Sequence, residues 1–369
     1  MDIKSQLLSL PPYQPGKPME EVKKELGLER VIKLASNENP YGASTHVTAA
    51  LQQSLTALSI YPDGYAALLR EKVANFLNVQ EEQLIFGNGS DEVIQFLCRA
   101  LLTSEDNMVT ADPTFSQYKL NATIEGAKVK EVALVNGVHD LEAMLAAIDE
   151  KTKIVWVCNP NNPTGTYVNE TAFTRFLAQV PEHVLVVSDE AYYEYVDAND
   201  YPETIPLLVD YPNLVVLRTF SKAYGLASLR IGYGVGNANF IRSIDPVRPP
   251  FNNTSLAHIA ALNALDDQAF ITNCVQKNQV EMKKMESFCQ KHQLTYFPSE
   301  TNFLLIDFQR KGNDVFHYLL KEGIIVRSGE ALGYPTYARI TIGTEEENIL
   351  LIQALEKMLQ SMSVPVLTD

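Results

Sequence analysis

The feature that most constrains this chain is a series of short, almost continuously apolar runs separated by stretches with helical periodicity. Such runs are typical of strands that are buried on both faces of a sheet. They occur between about residue 45 and residue 236 and read "QLIFGNG", "NMVTAD", "AKVKEVAL", "KIVWVCNP", "HVLVVSDE", "NLVVLRTF" and "RIGYGVG". This alternation predicts an α/β fold with a mostly parallel sheet covered by helices.

The pattern changes near residue 250. A polar-rich helix is predicted at roughly 267–292, followed by strands in "NFLLIDF", "GIIVR" and "ARITIG" and a last helix near 345–361. This order indicates a smaller α+β domain, and the proline-rich segment Asp245–Ser255 is a plausible boundary. We predict an N-terminal arm packed on the small domain or a partner, a large domain and a small domain, over residues 1–35, 36–249 and 250–369.

The composition limits the class of protein. The chain has 369 residues, with 30 Lys and Arg against 45 Asp and Glu, so its net charge is −15. This charge argues against binding to nucleic acid or to an anionic membrane. Four cysteines without CxxC spacing or a metal-like grouping with histidine indicate reduced thiols, and no apolar segment has the length of a signal peptide or membrane span. We expect a cytoplasmic protein without a metal site.

Unusual polar segments follow four of the predicted strands. They are "GNGSDE" after the strand at 83–87, "NPNNPTG" after 153–158, "DEAYY" after 183–188 and "SKAYG" after 213–219. The carboxyl ends of parallel strands lie along one edge of a sheet, where ligands bind. The sequence therefore predicts that a helix start, an Asn/Pro turn, an acid and a lysine converge on one crevice.

Each segment also has a plain structural explanation. "NPNNPTG" could be an ordinary turn, Asp189 could cap a helix, and Arg230 could pair with any acid on so acidic a surface. The glycines of "GNGSDE" match neither a dinucleotide fingerprint nor a Walker A loop, which disfavours a nicotinamide-dependent oxidoreductase; those of "GYGVG" are better explained by strand packing. Together at one edge, however, the segments favour a shared ligand site.

Pyridoxal phosphate is the cofactor whose chemistry needs this set of side chains. It requires a lysine for its aldehyde, a carboxylate opposite its pyridine nitrogen, donors for its phosphate and an aromatic face for its ring. A helix start can hold the phosphate through free backbone N–H groups. We expect partial burial and the charge of Arg230 to lower the pKa of the lysine. The candidates are Lys222, Asp189, Ser90, Thr219, Ser221, Arg230 and either Phe115 or Tyr118.

Three segments resemble the class II branch of the aspartate-aminotransferase-like, fold-type-I pyridoxal phosphate enzymes. They are "NPNNPTG", "SDEAYYEY" and "TFSKAYGLASLRIG", in this order and spacing. Five more strings extend the resemblance over nearly the whole chain, and together they are most similar to the histidinol-phosphate aminotransferase subgroup: "LASNENPYG", "YPDG", "GNGSDE", "GIIVRSG" and "ARITIGT". The resemblance implies an aminotransferase with a large cofactor-binding domain and a small domain.

The resemblance implies a role for each matching residue. Lys222 matches the lysine that forms the Schiff base and moves the proton between substrate and cofactor, and Asp189 matches the partner of the pyridine nitrogen. Asn162 and Tyr192 match the groups that hydrogen-bond the cofactor's phenolic oxygen. The phosphate is implied to lie against Gly89, Ser90, Asp91, Thr219, Ser221 and Arg230.

Four further positions complete the implied site. Phe115 matches the stacking aromatic, where many relatives carry Tyr or Trp. Tyr61 matches a tyrosine that reaches the phosphate from the partner subunit, which implies a homodimer with shared sites. Arg339 matches the arginine that binds the substrate's anionic group, and Arg327 resembles a second arginine on the substrate side.

The implied reaction is amino transfer between L-histidinol phosphate or imidazole acetol phosphate and 2-oxoglutarate or L-glutamate, in histidine biosynthesis. One arginine could serve both substrates, because its planar fork binds a phosphate as well as a carboxylate. Two related activities remain open: an aromatic amino acid aminotransferase, in view of 17 Tyr and 15 Phe, and a phosphothreonine-type decarboxylase. A transcription regulator that only binds the cofactor is disfavoured, because the aminotransferase-like pattern starts almost at residue 1.

Overall fold

A computed structural model of the chain describes residues 3–10 and 18–363. Within these residues the strands are β1 (Ile32–Lys33), β2 (Leu84–Gly87), β3 (Asn107–Asp112), β4 (Lys128–Ala133), β5 (Thr152–Cys158), β6 (Leu185–Asp189), β7 (Leu214–Thr219), β8 (Gly232–Gly236), β9 (Thr295–Tyr296), β10 (Phe303–Asp307), β11 (Ile324–Ile325), β12 (Arg327–Ser328) and β13 (Tyr337–Thr341). The α-helices are α1 (Met19–Leu26), α2 (Thr45–Ser54), α3 (Ala67–Leu77), α4 (Ser90–Leu101), α5 (Gln117–Glu125), α6 (Leu141–Ala146), α7 (Glu170–Leu177), α8 (Thr204–Leu207), α9 (Ala238–Ile244), α10 (Ser255–Asp266), α11 (Gln268–Lys291), α12 (Gly312–Lys321) and α13 (Glu345–Ser363).

Seven strands form a large sheet in the order β2-β8-β7-β6-β5-β3-β4. The pairs β3–β4, β3–β5, β5–β6 and β6–β7 are parallel. Strand β8 runs antiparallel to both of its neighbours, β2 and β7, so β2 points the same way as the parallel strands. The predicted α/β class with a mostly parallel sheet is confirmed.

Alternate residues of the central strand β5 enter two different cores. Val155 and Val157 pack with side chains of α3, α6, α7 and α10 on one face of the sheet. Ile154 and Trp156 pack with side chains of α4, α5 and α9 on the other face. Because helices cover both faces, the strand sequences are continuously apolar and do not alternate with polar residues.

The C-terminal part of the chain builds a separate antiparallel sheet in the order β12-β13-β10-β9. Helices α11, α12 and α13 cover it with a core of their own. The short strand β1 pairs with β11 and so ties the N-terminal region to this part of the molecule. The smaller α+β unit predicted from the sequence is therefore present.

Helix α10 packs on the large sheet, whereas the predicted division at residues 249–250 would assign it to the small domain. Ala257, Ala260, Ala261 and Ala264 are spaced to lie on one helical face, and they are buried in the core of the large sheet beside α2 and α3. The division at residues 249–250 stays a prediction, and this packing favours a boundary within α11.

The predicted N-terminal arm is only partly described. Ser5–Ser9 forms a 3₁₀ helix against α5, where Gln6 Nε2 donates a hydrogen bond to Ile124 O at 3.2 Å; the prediction had placed the arm on the small domain or a partner. Residues 1–2 and 11–17 lie outside the described residues, so the packing of the arm as a whole stays a prediction. In the described part of the chain, no helix is both long and apolar enough to cross a membrane.

Candidate active site

The polar segments converge because four strands end at the same edge of the large sheet. Strands β2, β5, β6 and β7 all point in one direction, and each is followed by one of the segments singled out in the sequence. The antiparallel strand β8 begins at this edge, which brings Arg230, two residues before it, to the same place. This edge is therefore the candidate active site.

Asp189, the last residue of β6, is a buried carboxylate with only part of its hydrogen-bonding capacity used. Its side chain is 3% exposed, and its Oδ2 atom accepts a hydrogen bond from the Tyr118 hydroxyl at 2.6 Å. Its Oδ1 atom has no partner among the described residues. Burial raises the pKa of this carboxyl to about 7. The free oxygen therefore suits a ligand that brings a proton or a positive charge.

Lys222 lies three residues after β7 and is half-buried. Its Nζ atom donates to Ser36 O at 3.3 Å and lies 5.7 Å from the centre of the Tyr192 ring. Burial and, next, the charge of Arg339 lower the pKa of Lys222 to about 8. The expected effect of Arg230 is present but weaker than that of Arg339. An amine with this pKa can exist unprotonated near neutral pH and act as a nucleophile.

A second cluster suits the binding of a phosphate. Arg230 Nη1 donates to Ser221 Oγ at 3.2 Å, and Arg230 Nη2 lies 3.4 Å from Asp91 Oδ2. Gly89 stands before the first turn of α4 with φ +79°, and a Cβ atom there would collide with the Arg230 guanidinium. Ser90 begins α4 and is buried. The helix start, the hydroxyl and the guanidinium thus surround one small concavity.

Thr219, the last residue of β7, supports this cluster from behind. Its hydroxyl oxygen accepts the Ser221 backbone N–H at 3.1 Å, which fixes the turn that carries Ser221 and Lys222. The sequence placed Thr219 among the phosphate donors. In the structure, its buried hydroxyl also donates to Ile231 O at 3.4 Å.

A hydrogen-bonded series connects the large sheet with the small one. Arg339 Nη1 donates to Asn162 Oδ1 at 2.6 Å, and Arg339 Nη2 donates to Ala35 O at 2.8 Å. Asn162 Nδ2 lies 3.5 Å from the Tyr192 hydroxyl, which is a long hydrogen bond. Asn162, Tyr192 and Arg339 are therefore brought together, as the sequence predicted for residues of one site.

Arg327 lies directly opposite Arg339 in the pairing of β12 with β13. Side chains at opposed positions of antiparallel strands lie on the same face of the sheet, so the two arginine side chains start from one face. Among the described residues, none forms a hydrogen bond or ion pair with the Arg327 side chain. Two neighbouring cations on one face are suited to bind a dianion such as a phosphate monoester.

The two remaining aromatic candidates behave differently. Phe115 is half-buried at the site edge and meets the Tyr118 ring edge-on at 5.6 Å. Tyr61 is 79% exposed, stacks on Phe251 at 4.8 Å and contacts none of the other candidates in its own chain. Its assignment to the partner's site stays a prediction.

Tyr118 has a role in the structure that differs from the one expected from the sequence, and Asn37 had no expected role. Tyr118 was considered as a stacking alternative to Phe115, yet its ring stacks on Trp156 at 4.6 Å and its hydroxyl donates to Asp189. Asn37 received no role, although its Nδ2 atom donates to the Tyr192 hydroxyl at 2.9 Å. The only sequence signal for Asn37 was its place in the string "LASNENPYG", which carries part of the family resemblance.

Residues 29–355 match the family model of aminotransferase class I and II. The chain belongs to this family. It is 62% identical over 360 residues to the histidinol-phosphate aminotransferase of Geobacillus sp. (strain WCH70), covering 98% of this chain and 99% of that protein. It is also 62% identical to the histidinol-phosphate aminotransferase of Halalkalibacterium halodurans, covering 97% of each chain.

The family match is supported by a solved structure. The crystal structure of histidinol-phosphate aminotransferase from Sinorhizobium meliloti in complex with pyridoxal-5'-phosphate superimposes with a TM-score of 0.90 at 26% identity, covering 98% of both chains. The resemblance inferred from the sequence motifs is thereby confirmed, as is the fold-type-I architecture. The chain is an aminotransferase-family enzyme of the kind that works with pyridoxal phosphate.

Proposed function

We propose that this chain transfers an amino group between L-histidinol phosphate and 2-oxoglutarate, or in the opposite direction between L-glutamate and imidazole acetol phosphate, using pyridoxal phosphate. The observation that carries the proposal is the identity of 62% over almost the entire length to proteins with that activity in their names. The arrangement of charged side chains at the sheet edge supports it independently.

The residues present fit pyridoxal phosphate. Lys222 would hold its aldehyde, and the unpartnered Asp189 Oδ1 would face its pyridine nitrogen. The cluster around Arg230 would hold its phosphate, and Phe115 would cover its ring. When bound, the cofactor supplies an electron sink for the bond that breaks at the substrate's α-carbon. A protonated pyridine would also remove the electrostatic conflict of a buried, unpaired carboxylate.

The protein's own contribution to the reaction is proton transfer and binding. With a pKa of about 8, Lys222 can take a proton from the substrate's α-carbon and return it elsewhere. Arg339, together with Arg327, would bind the anionic end of the substrate. A guanidinium accepts either a carboxylate or a phosphate, so glutamate and histidinol phosphate could use one place in turn.

We also propose a cytoplasmic homodimer with shared sites. The segment around Tyr61 exposes large apolar side chains that a single chain leaves in water, namely Leu55, Leu58, Ile60, Tyr61 and Tyr65. Several large apolar side chains exposed within one short segment are typical of a subunit interface. Burial there would carry Tyr61 toward the other subunit, in agreement with the role that the family resemblance gives it.

The test is a comparison of kcat/KM for histidinol phosphate, phenylalanine and tyrosine. We expect histidinol phosphate to exceed both aromatic acids by tenfold or more, and borohydride to fix the cofactor on Lys222. Arg339→Ala should lower kcat/KM for histidinol phosphate and glutamate alike by roughly 30- to several thousand-fold, because a bound anion loses its partner. Arg327→Ala tests the second arginine, and we expect a smaller loss because Arg327 contacts neither Asn162 nor Ala35 in the described residues.

Other outcomes would redirect the assignment. A tenfold preference for aromatic acids would identify an aromatic amino acid aminotransferase, and release of carbon dioxide from a phosphothreonine-like substrate would identify a decarboxylase. Label on a lysine other than Lys222 would refute the cofactor assignment.

A further inference from the structure

Asn37 is buried in the loop between β1 and α2, and its conformation is unusual. It is 1% exposed and has φ +58°, in the left-handed region where asparagine is tolerated better than most residues. The loop around it also supplies Ala35 O to Arg339 and Ser36 O to Lys222. Asn37 therefore lies at the centre of the site without belonging to any of the four strand-end segments.

Hydrogen bonds to Thr341 orient the Asn37 amide. The Asn37 backbone N–H donates to Thr341 Oγ1 at 3.0 Å, and that hydroxyl donates its own proton to Asn37 Oδ1 at 3.0 Å. With the oxygen turned toward Thr341, the amide nitrogen faces the Tyr192 hydroxyl at 2.9 Å. Asn302 Nδ2 holds the Asn37 carbonyl at 3.0 Å, so the backbone is fixed as well.

The Tyr192 hydroxyl therefore accepts hydrogen bonds from the protein and can donate its own proton to a ligand. It accepts from Asn37 Nδ2 at 2.9 Å and from Asn162 Nδ2 at 3.5 Å, which uses both oxygen lone pairs. None of the described residues accepts the hydroxyl's proton. Burial keeps the pKa of Tyr192 at about 12, so the proton is present at neutral pH.

We propose that Asn37 is a positioning residue for amino transfer, which aims the Tyr192 O–H proton at an oxygen of the bound cofactor. This inference rests on the proposed function. Because Asn37 and Asn162 donate to both lone pairs of the Tyr192 hydroxyl oxygen, the hydroxyl proton can point only away from these two residues. The same asparagine is bonded to Thr341, two residues beyond Arg339 on β13, so it links the substrate-anion arginine with the cofactor's hydroxyl partner.

The test uses Asn37→Asp, which preserves size and the left-handed backbone but reverses the hydrogen bond. A carboxylate cannot donate, so the Tyr192 proton would turn toward residue 37. The readout is the pH midpoint of the bound cofactor's absorbance change without substrate, because a donor to the ring oxygen favours its deprotonated form. We expect the midpoint to rise by about one pH unit, the equivalent of one hydrogen bond.

Three further variants separate this role from a structural one. Thr341→Val removes the hydrogen bonds that orient the Asn37 amide but keeps the amide nitrogen, so we expect its midpoint to rise by less than that of Asn37→Asp. In a Tyr192→Phe background, Asn37→Asp should add no shift. Asn37→Gly keeps the backbone conformation and removes the donor without adding charge, so we expect a smaller rise than with aspartate.

The outcomes are distinguishable. A midpoint that moves equally in Asn37→Asp and Thr341→Val, or a shift that persists in Tyr192→Phe, would overturn the inference in favour of packing or of simple charge repulsion. If the aspartate variant does not fold, an unshifted midpoint in Asn37→Gly overturns it. A wild-type protein that shows no cofactor absorbance after incubation with pyridoxal phosphate would refute the proposed function itself, and the inference with it.

Discussion

Two carboxylates stand side by side at the end of β6, and their surroundings differ completely. Glu190 is fully buried, accepts hydrogen bonds from Arg218 at 3.1 and 2.9 Å and is bonded further by the hydroxyls of Ser188 and Thr204. Asp189 is almost equally buried, but among the described residues Tyr118 is the one side chain that donates to it, and its Oδ1 atom has no hydrogen-bond partner there. The protein thus supplies a full set of hydrogen-bond partners to Glu190 but leaves one oxygen of Asp189 without a partner in the described part of the chain; we call these the closed and the open shell of hydrogen bonds.

The contrast separates structural from functional burial. Burial raises the pKa of Glu190, but Arg218 and the hydroxyls of Thr204 and Ser188 oppose that rise, and Glu190 in turn raises the pKa of the Arg218 guanidinium. Asp189 has no such cation, and its pKa is raised to about 7. A buried acid that the protein does not satisfy is costly unless a ligand completes it. The open shell therefore indicates the site more reliably than burial or charge alone.

Breaking the buried ion pair between Glu190 and Arg218 should have the largest effect on stability. Glu190→Gln would leave Arg218 as a buried, unpaired cation, and we expect the free energy of unfolding to fall by about 3–5 kcal/mol. Denaturant unfolding measures it. The double variant Glu190→Gln/Arg218→Met should recover much of the loss, because no charge then remains buried. A single variant as stable as the wild type would mean that the pair contributes nothing to folding.

Asp189→Asn should lower activity and leave stability intact, the reverse of what we expect for Glu190→Gln. An amide cannot balance a protonated pyridine, so we expect kcat to fall by about 10²–10³, the usual cost of losing one electrostatic stabiliser in an active site. The cofactor-free variant should be at least as stable as the wild type, since it no longer buries an unsatisfied acid. Loss of stability comparable with that of Glu190→Gln would erase the distinction between the two positions.

The same variant tests the pKa of Asp189 through stability. Between about pH 4 and pH 7 the folded cofactor-free protein keeps a proton on Asp189 that the unfolded chain releases, so this group's contribution to stability falls as pH rises. Asp189→Asn removes that term. We expect the stability of the variant relative to wild type to increase across this window by at most about 1.4 kcal/mol per pH unit. A flat difference would show that the acid titrates normally.

The sequence was sufficient to predict where Asp189 lies, but not which residues form hydrogen bonds around the site. Apolar runs and the polar segments after them predicted the sheet edge and placed Asp189 and Lys222 there, because strand direction fixes where the ends meet. Periodicity shows which face of an element is buried but not what covers it, so it could not show that α10 packs in the core of the large sheet. Tyr118 and Asn37 act across 71 and 155 positions of sequence, and only the folded chain brings them to Asp189 and Tyr192.

The smallest effect should come from removing the side-chain donor to Asp189, the Tyr118 hydroxyl. Tyr118→Phe keeps the ring stacked on Trp156 but removes the 2.6 Å hydrogen bond to the carboxylate, which raises the pKa of Asp189 further. A hydrogen bond to a charged group contributes about 1.5–3 kcal/mol, so we expect the affinity for pyridoxal phosphate to fall by roughly 10- to 150-fold.

The chain offers a matched control for this variant. Tyr167 donates to Asp200 at the same 2.6 Å, but this hydrogen bond is exposed and involves none of the candidate site residues. Tyr167→Phe should leave cofactor affinity unchanged and alter stability by less than about 1 kcal/mol, because water replaces an exposed donor. Equal losses of cofactor affinity in the two variants would mean that Tyr118 acts through general packing. A loss confined to Tyr118→Phe would show that the one bond present on Asp189 keeps the carboxylate ready for the cofactor.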